Sequence, residues 1–122
     1  ADAAVAAATN THLIDTPSLA IGTWLLAFSA EVVNGGATAG DCGMTLAIGS
    51  AAGTFAGPVS ADGELPAISG GAVSLATTCL VTITTAGQVS LYIYSAVACT
   101  VKRIATSGIN GLVTGIVAVQ IA

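Results

Sequence analysis

The stretch from Ala72 to Cys99, AVSLATTCLVTITTAGQVSLYIYSAVAC, decides the fold of this chain. It contains two arms in which apolar and polar residues alternate, joined at Ala86-Gly87. Side chains alternate across a β-strand with a period of two, so the apolar residues of each arm share one face. These faces hold Val73, Leu75, Cys79, Val81 and Ile83 in the first arm, and Val89, Leu91, Ile93, Val97 and Cys99 in the second. We therefore predict two long strands, each with one face in a core.

A direct pairing of the two arms would need an odd-numbered loop such as Thr85-Ala86-Gly87, because a slip of one residue would expose one apolar face. This pairing would place Cys79 opposite Ser95 and Cys99 opposite Leu75. The two cysteines would then lie too far apart for a disulfide. No cysteine belongs to a CxxC pair, so we predict that all three are buried free thiols.

The composition limits the classes of function. The 122 residues predict one domain, with 54 % hydrophobic and 7 % charged residues, whereas a charged share of about 25 % is usual. The net charge of −4 and only two basic residues argue against nucleic acid, whose phosphates require Lys and Arg. Residues 19–30 and 111–119, the longest apolar runs, are shorter than the roughly 20 residues of a membrane-spanning helix. So few charges predict a surface that is covered in an oligomer or a larger assembly.

The remaining segments predict further strands, separated by turns rich in Gly, Asn and Pro. About eight antiparallel strands, with no helix after residue 8, indicate a closed or double-sheet all-β fold. We predict residues 1–10 as an N-terminal arm that is ordered only against a neighbour, and residues 11–122 as the domain. The final strand, predicted over residues 112–121, is apolar on both faces, so one face is expected in the core and the other in a subunit interface. The predicted core residues are Trp24, Leu26, Phe28, Met44, Leu46, Leu91, Ile93, Val117 and Val119.

Three segments resemble a known family. Gly22-Thr23-Trp24-Leu25-Leu26, Val89-Ser90-Leu91-Tyr92 and Gly115–Ile121 are similar to strands of the small tumour-necrosis-factor-like (TNF-like) jelly rolls of tailed-phage virion proteins. The resemblance implies an all-β jelly-roll sandwich of about eight antiparallel strands, assembled as a homotrimer around a threefold axis. It also implies that the two arms lie in different sheets, which would replace the direct pairing and still leave Cys79 and Cys99 facing the core.

The resemblance further implies a structural role at the virion surface, as a capsid decoration (cement) protein. Its expected partners are further copies of the chain and the major capsid protein or another virion protein. The expected trimer interface comprises Tyr92, Tyr94, Leu112, Ile116 and Ala118. The expected contacts with the capsid or another partner are Ala1, Asp2, Val5, Lys102 and Arg103. The alternative is the head domain of a tail fibre or tail tip that binds a host cell-surface glycan through loops such as Ala51–Gly71.

Enzymatic chemistry has little support in the sequence. His12 and Asp15, three residues apart among many serines, resemble part of a hydrolase triad, but no GxSxG nucleophile motif is present. We expect an exposed or interface histidine and no enzyme. Asp41 and Asp62-Gly63-Glu64 offer oxygen ligands for calcium, but Asp-Gly is an ordinary turn pair, so no metal or cofactor is expected.

The tyrosine pair Tyr92 and Tyr94 allows two interpretations. Two aromatic rings on the outward face of a strand can stack on a glycan. They more often anchor a protein interface, because tyrosine supplies a large amphipathic area at low entropy cost. Lys102 and Arg103 point to opposite faces of their strand, and one of them is expected to pair with an acidic group such as Glu31.

Overall fold

The computed structural model describes residues 2–102 and 115–122; the predictions made for Ala1, Arg103 and Leu112 lie outside them. The described residues form ten β-strands and no helix, where the sequence predicts about eight strands. The strands are β1 Ala3–Val5, β2 Thr11–Asp15, β3 Gly22–Asn34, β4 Gly40–Ile48, β5 Ala52–Ala56, β6 Ser60–Leu65, β7 Ala72–Thr85, β8 Val89–Ser95, β9 Cys99–Lys102 and β10 Gly115–Gln120. No helix that could cross a membrane occurs in this part of the chain.

The strands form two antiparallel sheets around one core, which confirms the all-β prediction at the level of a β-sandwich. The six-stranded sheet has the order β1-β9-β3-β7-β5, with β10 also paired to β3. The four-stranded sheet has the order β2-β8-β4-β6. From β1 to β9 the chain changes sheet at every connection, so that odd-numbered strands lie in one sheet and even-numbered strands in the other.

The direct pairing of the arms at residues 72–99 is wrong. β7 pairs with β3 and β5, whereas β8 pairs with β2 and β4, so Cys79 lies opposite Leu26 and Ser95 opposite Cys42. The alternation itself is as predicted, since the apolar residues of both arms face the core. Two strands that face each other across a sandwich need the same apolar pattern as two paired neighbours, and the pattern therefore does not distinguish them.

The crossing between β7 and β8 depends on Gly87, which is buried between two loops. Its N–H donates to the carbonyl of Leu19, 3.1 Å away, and its carbonyl accepts from the Leu19 N–H at 2.7 Å. A Cβ atom at this position would come within 2.5 Å of the Ala51 nitrogen. Only glycine leaves room for this close approach of three backbone segments.

The core contains most of the residues predicted for it. Leu26, Phe28, Met44, Leu91 and Ile93 are at most 1 % exposed. Leu46 is also buried, and Trp24 is half-buried against the same cluster.

The faces of the final strand are the reverse of the prediction. Ile116 lies opposite Phe28, and Ala118 opposite Leu26, and directly opposed residues of paired strands point to the same side of a sheet. Ile116 and Ala118, predicted for a subunit interface, therefore face the core. Val117 is only half-buried, and Val119 is 51 % exposed, so their assignment to the core is wrong.

The N-terminal residues are part of the sandwich. Ala3–Val5 pair with β9, and Val5 is 2 % exposed, so these residues do not form a free arm and Val5 is not available for a partner contact. β9 lies between β1 and β3. β9 and β10 follow the same side of β3, with Lys102 opposite Glu31 and Gly115 opposite Ser29.

Candidate functional surfaces

The outer face of the six-stranded sheet carries a row of apolar side chains. Val119 lies opposite Leu25, Leu25 opposite Leu80, and Leu80 opposite Ala56. We call these four residues the apolar row; it crosses β10, β3, β7 and β5. Val119, Leu25 and Leu80 are 51 %, 38 % and 36 % exposed. Isolated exposed apolar residues are common, but a contiguous set on one sheet face indicates a contact surface.

The charged residues of this face lie at its other end. The Lys102 Nζ atom donates to Asp2 Oδ2 at 2.9 Å, and Lys102 lies opposite Glu31 in the β3–β9 register. Six residues of β3 separate Glu31 from Leu25, which corresponds to about 20 Å along a strand. Asp2 and Lys102, predicted for a partner contact, thus form an ion pair within the chain, and the apolar row is remote from it.

The outer face of the four-stranded sheet is acidic and aromatic. Tyr92 lies opposite Thr45 and His12, and Tyr94 lies opposite Gly43. Four of the six acidic residues of the chain are on this face: Asp15, Asp41, Asp62 and Glu64. Within the described ranges it carries no lysine or arginine, so its negative charge is not balanced locally.

An open groove of about 630 Å3 runs along this face beside Tyr94. Gly43 lies at its floor, and the Asp62 carboxylate occupies the space next to it, so closely that a Cβ atom on Gly43 would collide with Asp62 Oδ1. Asp41 and Glu64 complete the acidic wall, and Tyr94 is 46 % exposed. Among the described residues, no hydrogen-bond or ion-pair partner contacts the side chains of Asp41, Asp62 and Glu64. The groove therefore presents three free carboxylates and one aromatic ring.

His12, Asp15 and Ser90 form a hydrogen-bonded cluster that joins β2 to β8. Asp15 Oδ1 accepts from the Ser90 hydroxyl at 2.6 Å and lies 2.7 Å from His12 Nε2. These contacts, with Ser90 contributing most, lower the pKa of Asp15 below its ordinary value. The His12 ring also packs edge-on against Tyr92, with ring centroids 5.4 Å apart.

This cluster does not have the arrangement of a hydrolase triad. In a triad the imidazole bonds to the nucleophile on one side and to the carboxylate on the other. Here the serine hydroxyl donates to the carboxylate and not to His12, so nothing activates it as a nucleophile. The arrangement instead fixes the position of the edge strand β2, whose register shifts between His12 and Ile14.

The thiols are inert in their surroundings. Cys42, Cys79 and Cys99 are free and buried, as predicted. Burial raises the pKa of all three, that of Cys42 to about 11, where the nearby Asp41 and Asp62 carboxylates add to the effect. Because the thiolate is the reactive species, these residues pack as small apolar side chains. No group of three or more His, Cys, Asp or Glu in the described ranges is arranged to hold a metal ion.

Asn34 is a buried residue whose side chain joins two loops. It is 2 % exposed, and its Nδ2 donates to the carbonyls of Thr38 and Pro66 at 2.9 and 2.8 Å. Its Oδ1 accepts from the Gly36 N–H at 3.0 Å. One side chain thus connects the turn after β3 to the loop between β6 and β7. The Asn-Gly-Gly sequence signals a turn, but the partner at Pro66 is 32 residues away and gives no local signal.

The residues predicted for one trimer interface do not lie on one surface. Tyr92 and Tyr94 are on the outer face of the four-stranded sheet, while Ile116 and Ala118 face the core from the six-stranded sheet. The apolar row was not predicted, because Leu25, Leu80 and Val119 belong to different strands whose register was unknown. Leu25 and Leu80 share one signal in the sequence, since each is a large apolar residue on the polar face of its strand; Val119 lies in a strand that is apolar on both faces and gives no such signal.

The fold and these two surfaces define an antiparallel β-sandwich with two chemically different outer faces. Comparison of the chain with protein-family models, with curated proteins and with solved structures finds no match.

Proposed function

We propose that this chain is a structural phage virion protein, a capsid decoration protein with a TNF-like jelly-roll fold that assembles as a homotrimer on the virion surface. The change of sheet at every connection from β1 to β9 supports the jelly-roll assignment, since jelly rolls are double-sheet folds with such crossings. The resemblance of the strands at Gly22–Leu26 and Gly115–Ile121 to virion jelly rolls supports the family.

The apolar row carries the proposal of self-assembly. It is the part of the six-stranded sheet where large apolar side chains are exposed in register, and charged groups lie about 20 Å away along β3. Burial of apolar surface contributes about 25 cal/mol per Å2. Contact between these faces in neighbouring subunits would remove the row from water, whereas the predicted tyrosine interface would leave it exposed. We therefore assign the subunit interface to the six-stranded sheet.

Light scattering on the purified chain tests the assembly. The wild type is expected to have three times the 11.7 kDa mass of one chain. Leu80→Glu should give monomers, because an unpaired carboxylate buried in an interface costs several kcal/mol. Tyr94→Glu is the matched control, a glutamate placed on the other sheet, and should remain trimeric. A wild-type monomer, or dissociation by Tyr94→Glu alone, would contradict the proposal.

The virion role needs a separate test. We expect labelled antibodies against the chain to bind the capsid shell of intact phage particles in electron micrographs. Particles that lack the protein should have the same shell and lower resistance to heat, which addition of purified protein restores. Labelling of the tail tip would favour the alternative, a glycan-binding head domain. The exposed Tyr94 beside a groove is the observation that favours this alternative, and glycan binding lost in variants of exposed residues within 51–71 would support it.

A further inference from the structure

The outer face of the four-stranded sheet has a charge distribution that self-assembly through the other sheet does not use. Asp41, Asp62 and Glu64 are exposed, have no hydrogen-bond or ion-pair partner in the described part of the chain and line one side of the groove at Gly43. Tyr94 lies on the opposite side of the same glycine. We infer that this groove is a docking site for an arginine-bearing segment of a partner protein.

The charge of the face selects a cationic occupant. Like charges that share one surface repel each other, and a positively charged partner relieves this repulsion while gaining attraction from each carboxylate. The lysine among the described residues is engaged with Asp2 on the six-stranded sheet, so it does not neutralise the groove.

The shape of the groove favours side chains of a partner, rather than a metal ion, as its occupant. The carboxylates are spread along the strand register, with Asp62 opposite Gly43 and Glu64 opposite Asp41, and do not converge on one point. A volume of about 630 Å3 admits several side chains. The Asp62 carboxylate lies against Gly43, in the space that a side chain would otherwise take, and Tyr94 is opposite the same glycine on β8. A planar group that enters the groove therefore meets a carboxylate and an aromatic ring side by side.

The combination of ring and carboxylates favours arginine over lysine. A guanidinium group is planar, stacks on an aromatic face and donates two parallel hydrogen bonds to one carboxylate. At Gly43 it would stack on Tyr94 and bond to Asp62. An ammonium group would gain the attraction of the charges but not this geometry. The inference goes beyond the proposed function and is independent of the trimer, because none of these residues belongs to the apolar row.

Titration of the full chain with hexa-arginine amide, followed by calorimetry and by amide NMR, tests the site. Binding should shift the signals of Gly43, Asp62 and Tyr94 and spare those of Leu25 and Leu80. Hexa-lysine should bind about threefold more weakly, since it loses the stacking contribution. Absence of hexa-arginine binding at low salt would overturn the inference. So would binding of a neutral oligosaccharide in the groove without any response to hexa-arginine.

Isosteric variants distinguish binding at the groove from a general effect of net charge on the affinity. Asp62→Asn with Glu64→Gln should weaken hexa-arginine binding about tenfold, the sum of two surface charge contacts. Asp2→Asn, which removes a carboxylate from the other sheet, should leave the affinity unchanged. Equal weakening by Asp62→Asn alone and Asp2→Asn would show that the affinity follows net charge and would overturn the site.

Tyr94→Leu tests the stacking contact and should reduce the affinity about threefold. An unchanged affinity, together with equal binding of hexa-lysine, would overturn the preference for arginine. Light scattering on the same samples reports the mass, so that a failure of self-assembly is distinguished from a failure of the groove.

Discussion

The two outer faces of the sandwich cover the same core and differ in nearly every other respect. The six-stranded sheet exposes Val119, Leu25 and Leu80 in one row and keeps its charges at the far end. The four-stranded sheet carries both tyrosines, the histidine and four carboxylates on its outer face. A protein with 7 % charged residues has thus placed most of its acidic groups on one side.

In such a sandwich the function depends on the residues that do not face the core, because these residues determine the chemistry of the surface. The inward residues of both sheets are apolar, and the hydrophobic effect requires only that they leave water. The outward residues are free to vary, and here they divide into a face suited to apolar contact and a face suited to a cationic partner. We propose the first face as a subunit interface and the second as the contact with a partner.

The largest effect is expected from a change that damages both faces by unfolding the sandwich beneath them. Asn34→Leu removes the buried amide and leaves the carbonyls of Thr38 and Pro66 without their donor. The variant also loses the bond from the Gly36 N–H to Asn34 Oδ1. A typical hydrogen bond contributes about 0.5–1.5 kcal/mol, so the loss of all three should lower the free energy of unfolding by about 3 kcal/mol in urea denaturation. Asn10→Leu, the same change at an exposed position, is the control and should alter stability by less than about 0.5 kcal/mol. Equal stability of Asn34→Leu and wild type would show that these contacts contribute nothing.

The contacts proposed for the two faces should respond differently to salt in the wild-type protein. Raising the salt concentration from about 0.1 M to about 1 M shortens the screening length from about 10 Å to about 3 Å. Hexa-arginine binding to the acidic groove should weaken strongly, because it depends on charge. The mass of the assembly should stay constant, because burial of the apolar row does not depend on charge. Dissociation of the assembly in high salt would indicate that charge pairs and not the apolar row hold the subunits together.

The smallest effect is expected from acid, and it is confined to the edge of the acidic face. The pKa of Asp15 is lowered by the hydrogen bond from Ser90 and by His12, so the ionised carboxylate stabilises the folded state. That contribution is complete above the ordinary value of 3.8 and is lost as the pH falls through the lowered pKa. For an exposed pair it amounts to no more than about 1 kcal/mol.

Hydrogen exchange at the amides of β2 is the sensitive measurement of this effect. Protection of Leu13 and Asp15 should fall in acid in the wild type and be low at every pH in Asp15→Asn. Protection of β7 should be the same in both proteins. A β2 protection in Asp15→Asn that equals that of the wild type would rule out the role of the cluster in fixing this strand.

The sequence by itself determined the strands and their inward residues. The alternation at residues 72–99 and at Trp24–Val32 placed Leu26, Phe28, Leu91 and Ile93 in the core, because the period of two is a property of the extended backbone. The low charge predicts an associating surface, and this stays a prediction that light scattering tests. Where both faces of a strand are apolar, as in β10, the pattern does not show which face lies in the core. The predicted assignment of Ile116 and Val119 was therefore reversed.

The tertiary structure alone determines which strands pair, and therefore which outward residues lie side by side. Register joins Val119, Leu25, Leu80 and Ala56 from four strands, and it joins Tyr94 to Asp62 across Gly43. It also places β7 and β8 in different sheets, as the family resemblance implies and as the direct pairing does not. The physical reason is that the alternation of apolar and polar residues shows only which side of a strand is buried. The choice of neighbouring strand depends on contacts between residues far apart in the sequence, and several pairings are compatible with the same alternation.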